Sequence, residues 1–279
     1  MRFYAIYIKK LASIMSASKI KKQSNNSKII QRKTALITGG SKRIGREISL
    51  KLAELNYDLV IHYNNSKDEA EKLARLIEKK YSVRVSVFKA DLLNHQELKS
   101  LVDFMKKNFF NWSLLINNAS FFYKSKFLDE DFQKDWQNNL DIHLMVPIYL
   151  IKEFTQHVLT NKIDDAQVIN MLDKNIARHD TKYFNYLITK KFLATATKMI
   201  ALEIAPNVRI NGISPGLTLA SIDSDNPQKE LEMLSAIIPL KKTGNIENIL
   251  QTLEFLIKNK FITGQIISID GGSSLNHAG

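Results

Sequence analysis

From Thr34 onward, short apolar runs alternate with longer stretches whose apolar residues recur every three or four positions. This alternation restricts the chain more than any other feature. Thr34–Thr38, Leu59–Tyr63, Val83–Phe88, Leu114–Ile116, Val168–Leu172, Val208–Gly212 and Gln265–Ile269 read as strands. Between the first two, Ile44, Ile48, Leu52 and Leu55 fall on one helix face. Ala70, Leu73, Ala74 and Ile77 mark another over Asp68–Lys80, and Gln96–Phe109 reads as a third helix. Strands that succeed one another across helices pair in parallel through crossovers. The expected fold is therefore a single-domain α/β structure: a doubly wound parallel sheet of Rossmann type with helices on both faces. After Lys33 no Pro/Gly/Ser-rich linker, repeat or composition break intervenes, so residues 34–279 are expected to form one domain.

Charge and composition narrow the function classes. The net charge is +12, but nine of its cations lie in residues 1–33, which hold no acid, leaving +3 for everything after Lys33. A nucleic-acid surface would spread basic residues over a folded face, so no nucleic-acid partner is expected. No apolar run approaches the roughly 20 residues that span a bilayer, so no membrane partner is expected. There is no Cys, which removes disulfides, thiolate metal sites and cysteine nucleophiles. His62, His95, His157, His179 and His277 show no metal-ligand spacing, and no metal is expected.

Residues 1–33 read as a basic, disordered N-terminal extension. The apolar run Phe3–Ile8 is cut by Lys9 and Lys10, shorter than the core of a secretory signal. Its Ser and Lys content and lack of acids also fit an organelle transit peptide, and Met15 offers an internal start. The preferred reading is a disordered extension on a cytoplasmic protein, with an organelle as the alternative.

The first strand runs into Gly39-Gly40-Ser41-Lys42-Arg43-Ile44-Gly45 and then a helix. Such a turn aims backbone N–H groups and a helix N-terminus at one point, where a pyrophosphate can sit. Gly39 and Gly45 serve the tight turn and close approach. Alone, this pattern fits a ligand-free βα turn as well as a phosphate cradle.

Four further motifs follow in order: Asn118-Ala119-Ser120, Tyr186-x-x-x-Lys190, Pro215-Gly216 and Asp270-Gly271-Gly272. With Thr38-Gly39-x-x-x-Arg43-Ile44-Gly45, this set resembles the short-chain dehydrogenase/reductase family from about Thr34 to Ser274. The resemblance implies a nicotinamide cofactor held by Thr38, Gly39, Ser41, Arg43, Ile44 and Gly45 at the turn. It adds Tyr63, Asn64, Asn65 and Ser66 after the second strand, Asp91 and Leu92 after the third, and Asn118, Ala119 and Ser120 after the fourth. Pro215, Gly216 and Thr218 complete the set. Arg43 replaces the Gly usual in the family, and a guanidinium there is expected to fork onto an adenosine 2′-phosphate. The second strand ends in His62-Tyr63-Asn64-Asn65-Ser66 without the acid that would bind a 2′-hydroxyl. NADPH is the implied cofactor.

These departures resemble the pteridine reductase branch, including dihydromonapterin reductases, although that branch often carries Arg where Asn65 stands. Where the family places a catalytic Ser, this chain has Asp173, thirteen residues before Tyr186. Phe122 falls where a pterin-stacking Phe lies, and Leu217 in the substrate loop. The implied site is catalytic Asp173, Tyr186 and Lys190, with Phe122, Asp173, Tyr186 and Leu217 on the substrate. Tyr186 and Lys190 share a helix face, so the ammonium is expected to lower the phenol pKa. Asp173 would accept from pterin N–H groups or, protonated, help deliver a proton with Tyr186.

His143 stands where the family usually has an Asn, and reads either as a proton-relay element or as a core histidine bonded to a backbone carbonyl. Leu217–Lys242, with Asp223, Asp225, Glu230 and Glu232 among its acids, reads as a helix-bearing lid or an amphipathic connector. Faces around Phe154 and Phe192 read as core, or as homotetramer interfaces by family likeness. The expected reaction is NADPH-dependent reduction of a dihydropterin or dihydrofolate. A 3-oxoacyl or other carbonyl reductase is the rival, and a catalytically silent nucleotide-binding protein a more distant one.

Overall fold

The computed structural model describes residues 32–179, 181–217 and 227–275. Seven strands form one parallel sheet: β1 (Thr34–Ile37), β2 (Asp58–Tyr63), β3 (Val85–Lys89), β4 (Trp112–Asn117), β5 (Ala166–Met171), β6 (Val208–Pro215) and β7 (Ile266–Ile269). Their order is β3-β2-β1-β4-β5-β6-β7. The chain winds outward from β1 to β3, returns to β4 on the other side of β1, and winds outward again to β7. The C-terminal ends of β1 and β4 thus flank the point where the winding reverses, which in open parallel sheets opens a crevice.

The strands read as continuous apolar runs because both faces are covered. Every residue of β2, β4 and β5 is buried. Alternate residues feed two cores. Leu36, Val60, Leu115, Val168 and Ile210 pack with α3 (His95–Asn108) and α5 (Val146–Asn161) on one face. Ile37, Ile61, Ile116, Ile169 and Ile213 pack on the other with α1 (Arg43–Glu54), α2 (Lys67–Lys80) and α8 (Ile246–Lys258). Two further helices, α4 (Phe132–Leu140) and α6 (Phe184–Ile204), lie along the site. Side-chain caps fix two entries: Asn94 accepts from the Gln96 and Glu97 amides before α3, and Asn245 and Asn248 form a reciprocal box on α8.

The strands lie where the apolar runs predict, with edges moved by a few residues. β6 continues past Gly212 to Pro215 because β7 pairs with it from Gly212↔Ile266 to Pro215↔Ile269. Of the two readings for Phe154, the core one holds: the ring is fully buried and meets Trp112 edge-on at 5.0 Å. Phe192 stays on the surface with Met199 and Leu202 of α6. Within the expected lid, α7 covers Pro227–Ile237. Thr218, Asp223 and Asp225 lie outside the described residues.

Candidate active site

The phosphate turn is held from both sides. The Thr38 hydroxyl accepts from the amides of Asn118 (2.9 Å) and Ala119 (3.0 Å), and the Asn118 amide group donates to the carbonyls of Thr38 and Gly39 at 2.9 and 3.0 Å. Gly39 has φ +61°, and a Cβ on Gly45 would lie 2.2 Å from the Gly39 carbonyl oxygen. These contacts close the turn over the first turn of α1, whose amides have no intrahelical carbonyl to bond. His62 locks the other edge. Its Nδ1 accepts from the Gly39 amide at 3.1 Å and its Nε2–H donates to the Ala90 carbonyl at 2.9 Å. Burial pushes this imidazole down to about pKa 4, so it stays neutral.

Ser41 and Ser66 hydroxyls meet at 2.7 Å, bringing the turn against the loop after β2. Asn64 and Asn65 are exposed on that rim, and Tyr63 is buried in the strand end. Arg43 is exposed at the start of α1 with φ +49°, a left-handed conformation that costs a non-glycine residue about 1–2 kcal/mol. A second cation stands there unforeseen: the Lys42 ammonium pairs with Glu69 of α2 at 2.8 Å. An exposed lysine in a polar turn carries no sequence signal of its own. Of the pair after β3, Asp91 is half-buried and accepts from the Leu93 amide at 3.0 Å, while Leu92 belongs to the core.

Asp173, Tyr186 and Lys190 come together at the end of β5. The Tyr186 O–H donates to Asp173 Oδ2 at 3.0 Å, and Asp173 Oδ1 accepts from the Asn175 amide at 2.7 Å. Burial, and then the Asp173 carboxylate, hold the phenol well above its ordinary pKa. This reverses the expected direction. The Lys190 ammonium is spent on the Met171 carbonyl at 2.8 Å and lies 5.8 Å from the Tyr186 ring centre, so the nearer carboxylate dominates. Burial also pulls Lys190 down to about pKa 8, opposed by Asp173. Beneath this group, Asn170 bridges Asn117 (2.8 Å) and Thr197 (2.9 Å), a buried network tying β4, β5 and α6.

His143 lies in a π-helical turn, Asp141–Met145, between α4 and α5. Its Nδ1 faces the Thr189 hydroxyl at 3.2 Å and its Nε2 the Ser120 hydroxyl at 2.8 Å. Thr189 spends its proton on the Asn185 and Tyr186 carbonyls, both at 2.9 Å, so Nδ1 carries the hydrogen and Nε2 accepts from Ser120. The imidazole meets the Tyr186 ring edge-on at 5.1 Å, and burial with the Lys190 charge keeps it neutral. Its nitrogens face two side-chain hydroxyls, and the Phe121 backbone also bonds the ring, as the core reading expects.

Phe122 is 54% exposed, stacks on Tyr183 at 4.3 Å and meets Tyr186 edge-on at 4.8 Å. It presents a flat apolar surface beside the phenol. Gly216 follows Pro215 at the end of β6, where a Cβ would meet Asp270 Cα at 2.6 Å, and the Leu217 carbonyl accepts from Gly244 at 2.9 Å. The residues from all five motifs therefore converge on the C-terminal edge of the sheet.

A parallel seven-stranded sheet with a glycine turn at its switch point and a buried Tyr–Lys pair defines a nucleotide-dependent oxidoreductase of a known kind. A family model described as enoyl-(acyl carrier protein) reductase matches residues 39–274, and the chain belongs to the short-chain dehydrogenase/reductase family. Among curated relatives, the 3-oxoacyl-(acyl-carrier-protein) reductase FabG of Staphylococcus epidermidis is 30% identical over 243 residues, covering 86% of this chain and 98% of its own. Pteridine reductase 1 of Leishmania tarentolae is 28% identical, covering 88% and 97%. Among solved structures, FolM alternative dihydrofolate reductase 1 from Brucella canis, complexed with NADP, superposes with TM-score 0.81 at 29% identity, covering 90% of this chain and 97% of its own. Its counterpart from Brucella suis, also with NADP, gives TM-score 0.82 at 29% identity.

Proposed function

We infer that this oxidoreductase uses NADPH to reduce a dihydropterin or dihydrofolate to the tetrahydro form. The observation that carries the reading is the Asp173–Tyr186 hydrogen bond beside the exposed Phe122 ring. A ketone needs one donor on its oxygen. A pterin offers a planar ring to stack on, ring N–H and amino donors to accept from, and a C=N nitrogen to protonate. Phe122 suits the ring, the Asp173 carboxylate the donors, and the Tyr186 hydroxyl the nitrogen. The likeness to a pteridine reductase and to alternative dihydrofolate reductases supports this reading, while the likeness to 3-oxoacyl reductases supports the rival.

The residues fit the cofactor. The closed Gly39–Gly45 turn presents the α1 N-terminus to a pyrophosphate, and Lys42 with Arg43 suits a 2′-phosphate on the rim of β2. Asn118, Ala119, Ser120, Pro215 and Gly216 would border the nicotinamide half. When bound, NADPH supplies the hydride. The chain's own task is then proton delivery: Tyr186 keeps its proton because of burial and Asp173, and hands it to the substrate nitrogen. Lys190, charged below about pH 8, balances the phenolate that remains. We further infer a homotetramer in which Phe192, Met199 and Leu202 of α6 are covered.

Following NADPH oxidation with a dihydropterin, dihydrofolate and a 3-oxoacyl thioester tests the reading. Turnover of either pterin compound at least tenfold above the thioester is expected. The reverse order overturns it in favour of a carbonyl reductase.

A further inference from the structure

The rim after β2 carries an acid where the cofactor reading calls for cations. Glu69 lies in the first turn of α2, and its carboxylate meets the Lys42 ammonium at 2.8 Å, with both side chains about half exposed. The carboxylate also accepts from its own backbone amide. The Lys42 bond, and then the amide, hold the acid below its ordinary pKa and therefore ionised. Ser66, at the N-cap of α2, makes no side-chain cap. Its hydroxyl is turned instead to Ser41 of the phosphate turn at 2.7 Å, which ties the start of α2 to the start of α1. The first-turn amides of α2 thus lack the acceptor that an N-cap serine commonly supplies, and Glu69 takes one of them. A helix-terminal amide and an ammonium are also the donors that a phosphate monoester seeks. With one carboxylate, Glu69 therefore occupies the kind of donor set that a 2′-phosphate would use.

We propose that Glu69 is the resident counter-ion at the adenosine end of the site. It competes with the cofactor's 2′-phosphate for Lys42, and so lowers both the affinity for NADPH and the preference for NADPH over NADH. The proposal rests on the cofactor placement proposed above, and it adds a residue that the glycine turn does not mark. Its sign follows from the ion pair. Glu69 and Lys42 satisfy each other, and a 2′-phosphate, more strongly charged than a carboxylate, would draw Lys42 away and leave Glu69 without its partner. NADH carries a hydroxyl at that position and has no such claim on the ammonium. The exposure of the pair limits the effect, since exposed pairs are worth a factor of about two to five in an equilibrium constant. Affinity changes within one site act mainly through dissociation, so the same factor is expected in the rate at which NADP leaves. Glu69 thereby favours cofactor exchange over tight retention.

The test measures binding on the full chain, by the fluorescence of NADPH and of NADH, with no substrate present. Glu69→Gln keeps the length of the side chain and removes its charge. NADPH is expected to bind about two- to fivefold more tightly to this variant, with NADH affinity unchanged, and the gain to shrink as salt is added. In the Lys42→Met background the same substitution is expected to gain nothing, because the contested ammonium is gone. Unchanged or weaker NADPH binding by Glu69→Gln overturns the proposal, since the acid then holds Lys42 in place for the phosphate or does nothing to it. An equal gain in the Lys42→Met background overturns it too, because repulsion of the phosphate would then account for the whole effect. In either case the cofactor placement stands as long as Lys42→Met alone weakens NADPH relative to NADH. If neither Lys42→Met nor Arg43→Met moves that ratio, the placement fails and the proposal falls with it.

Discussion

At the scale of single residues, the site is governed by burial acting on titratable groups. His62 is held neutral between the Gly39 amide and the Ala90 carbonyl. Its folded pKa of about 4 lies below the ordinary 6.5, so the unfolded chain binds the extra proton at intermediate pH. Stability is therefore fully present above about pH 6.5 and is lost as pH falls toward 4. Lowering pH from 7.5 to 5 should cost about 2 kcal/mol through this residue. Urea unfolding at both pH values checks this: His62→Gln should flatten the dependence by that amount, and an unchanged slope would contradict it. Lys190 gives the opposite side of the pH profile. Its ammonium is charged below about pH 8 and neutral above it, so kcat/KM should decline above pH 8. A profile flat to pH 9.5 would show that Lys190 charge is not used.

At the scale of elements, strands and helices were legible because both faces of the sheet are covered and the strands read as unbroken apolar runs. The Tyr186–Lys190 pair was legible from its four-residue spacing on one helix. Other features were not, for reasons of three-dimensional placement. The depressed Lys190 and raised Tyr186 depend on how deeply the α6 face sinks toward Met171 and Asp173, which spacing does not encode. The two bonds of His143 depend on a π-helical turn and on Ser120 arriving from another element. Ser125 belongs to no motif in the sequence, and its buried bonds to Lys182, Phe184 and Asn185 depend on the bridge to Tyr183. Phe154 marks where two readings of one apolar residue divide. Because it fills the space between α5 and β4 against Trp112, Phe154→Ala should destabilise the fold by about 3–5 kcal/mol in urea titration. A cost below 1 kcal/mol would place the ring outside the core.

At the scale of the whole molecule, the winding reversal between β1 and β4 gathers residues separated by well over a hundred positions onto one edge of the sheet. That edge carries the closed Gly39–Gly45 turn and the Asp173, Tyr186 and Phe122 group. Toward its C-terminal end α6 exposes Met199 and Leu202, 67% and 86% accessible in the isolated chain. Covering them in an assembly predicts that Leu202→Asp lowers the mass measured by light scattering, and an unchanged mass would place the interface elsewhere. No helix among the described residues is long and apolar enough to cross a membrane. On the function proposed above, the Asp173 carboxylate, standing where the family usually has a hydroxyl, selects the substrate class. The most direct measurement compares NADPH oxidation by wild type and Asp173→Ser on a dihydropterin and on a 3-oxoacyl thioester. The variant is expected to lose at least about 100-fold on the pterin, equivalent to about 2.7 kcal/mol, and to gain or hold on the thioester. Equal loss on both substrates, or pterin turnover that survives the substitution, would contradict it.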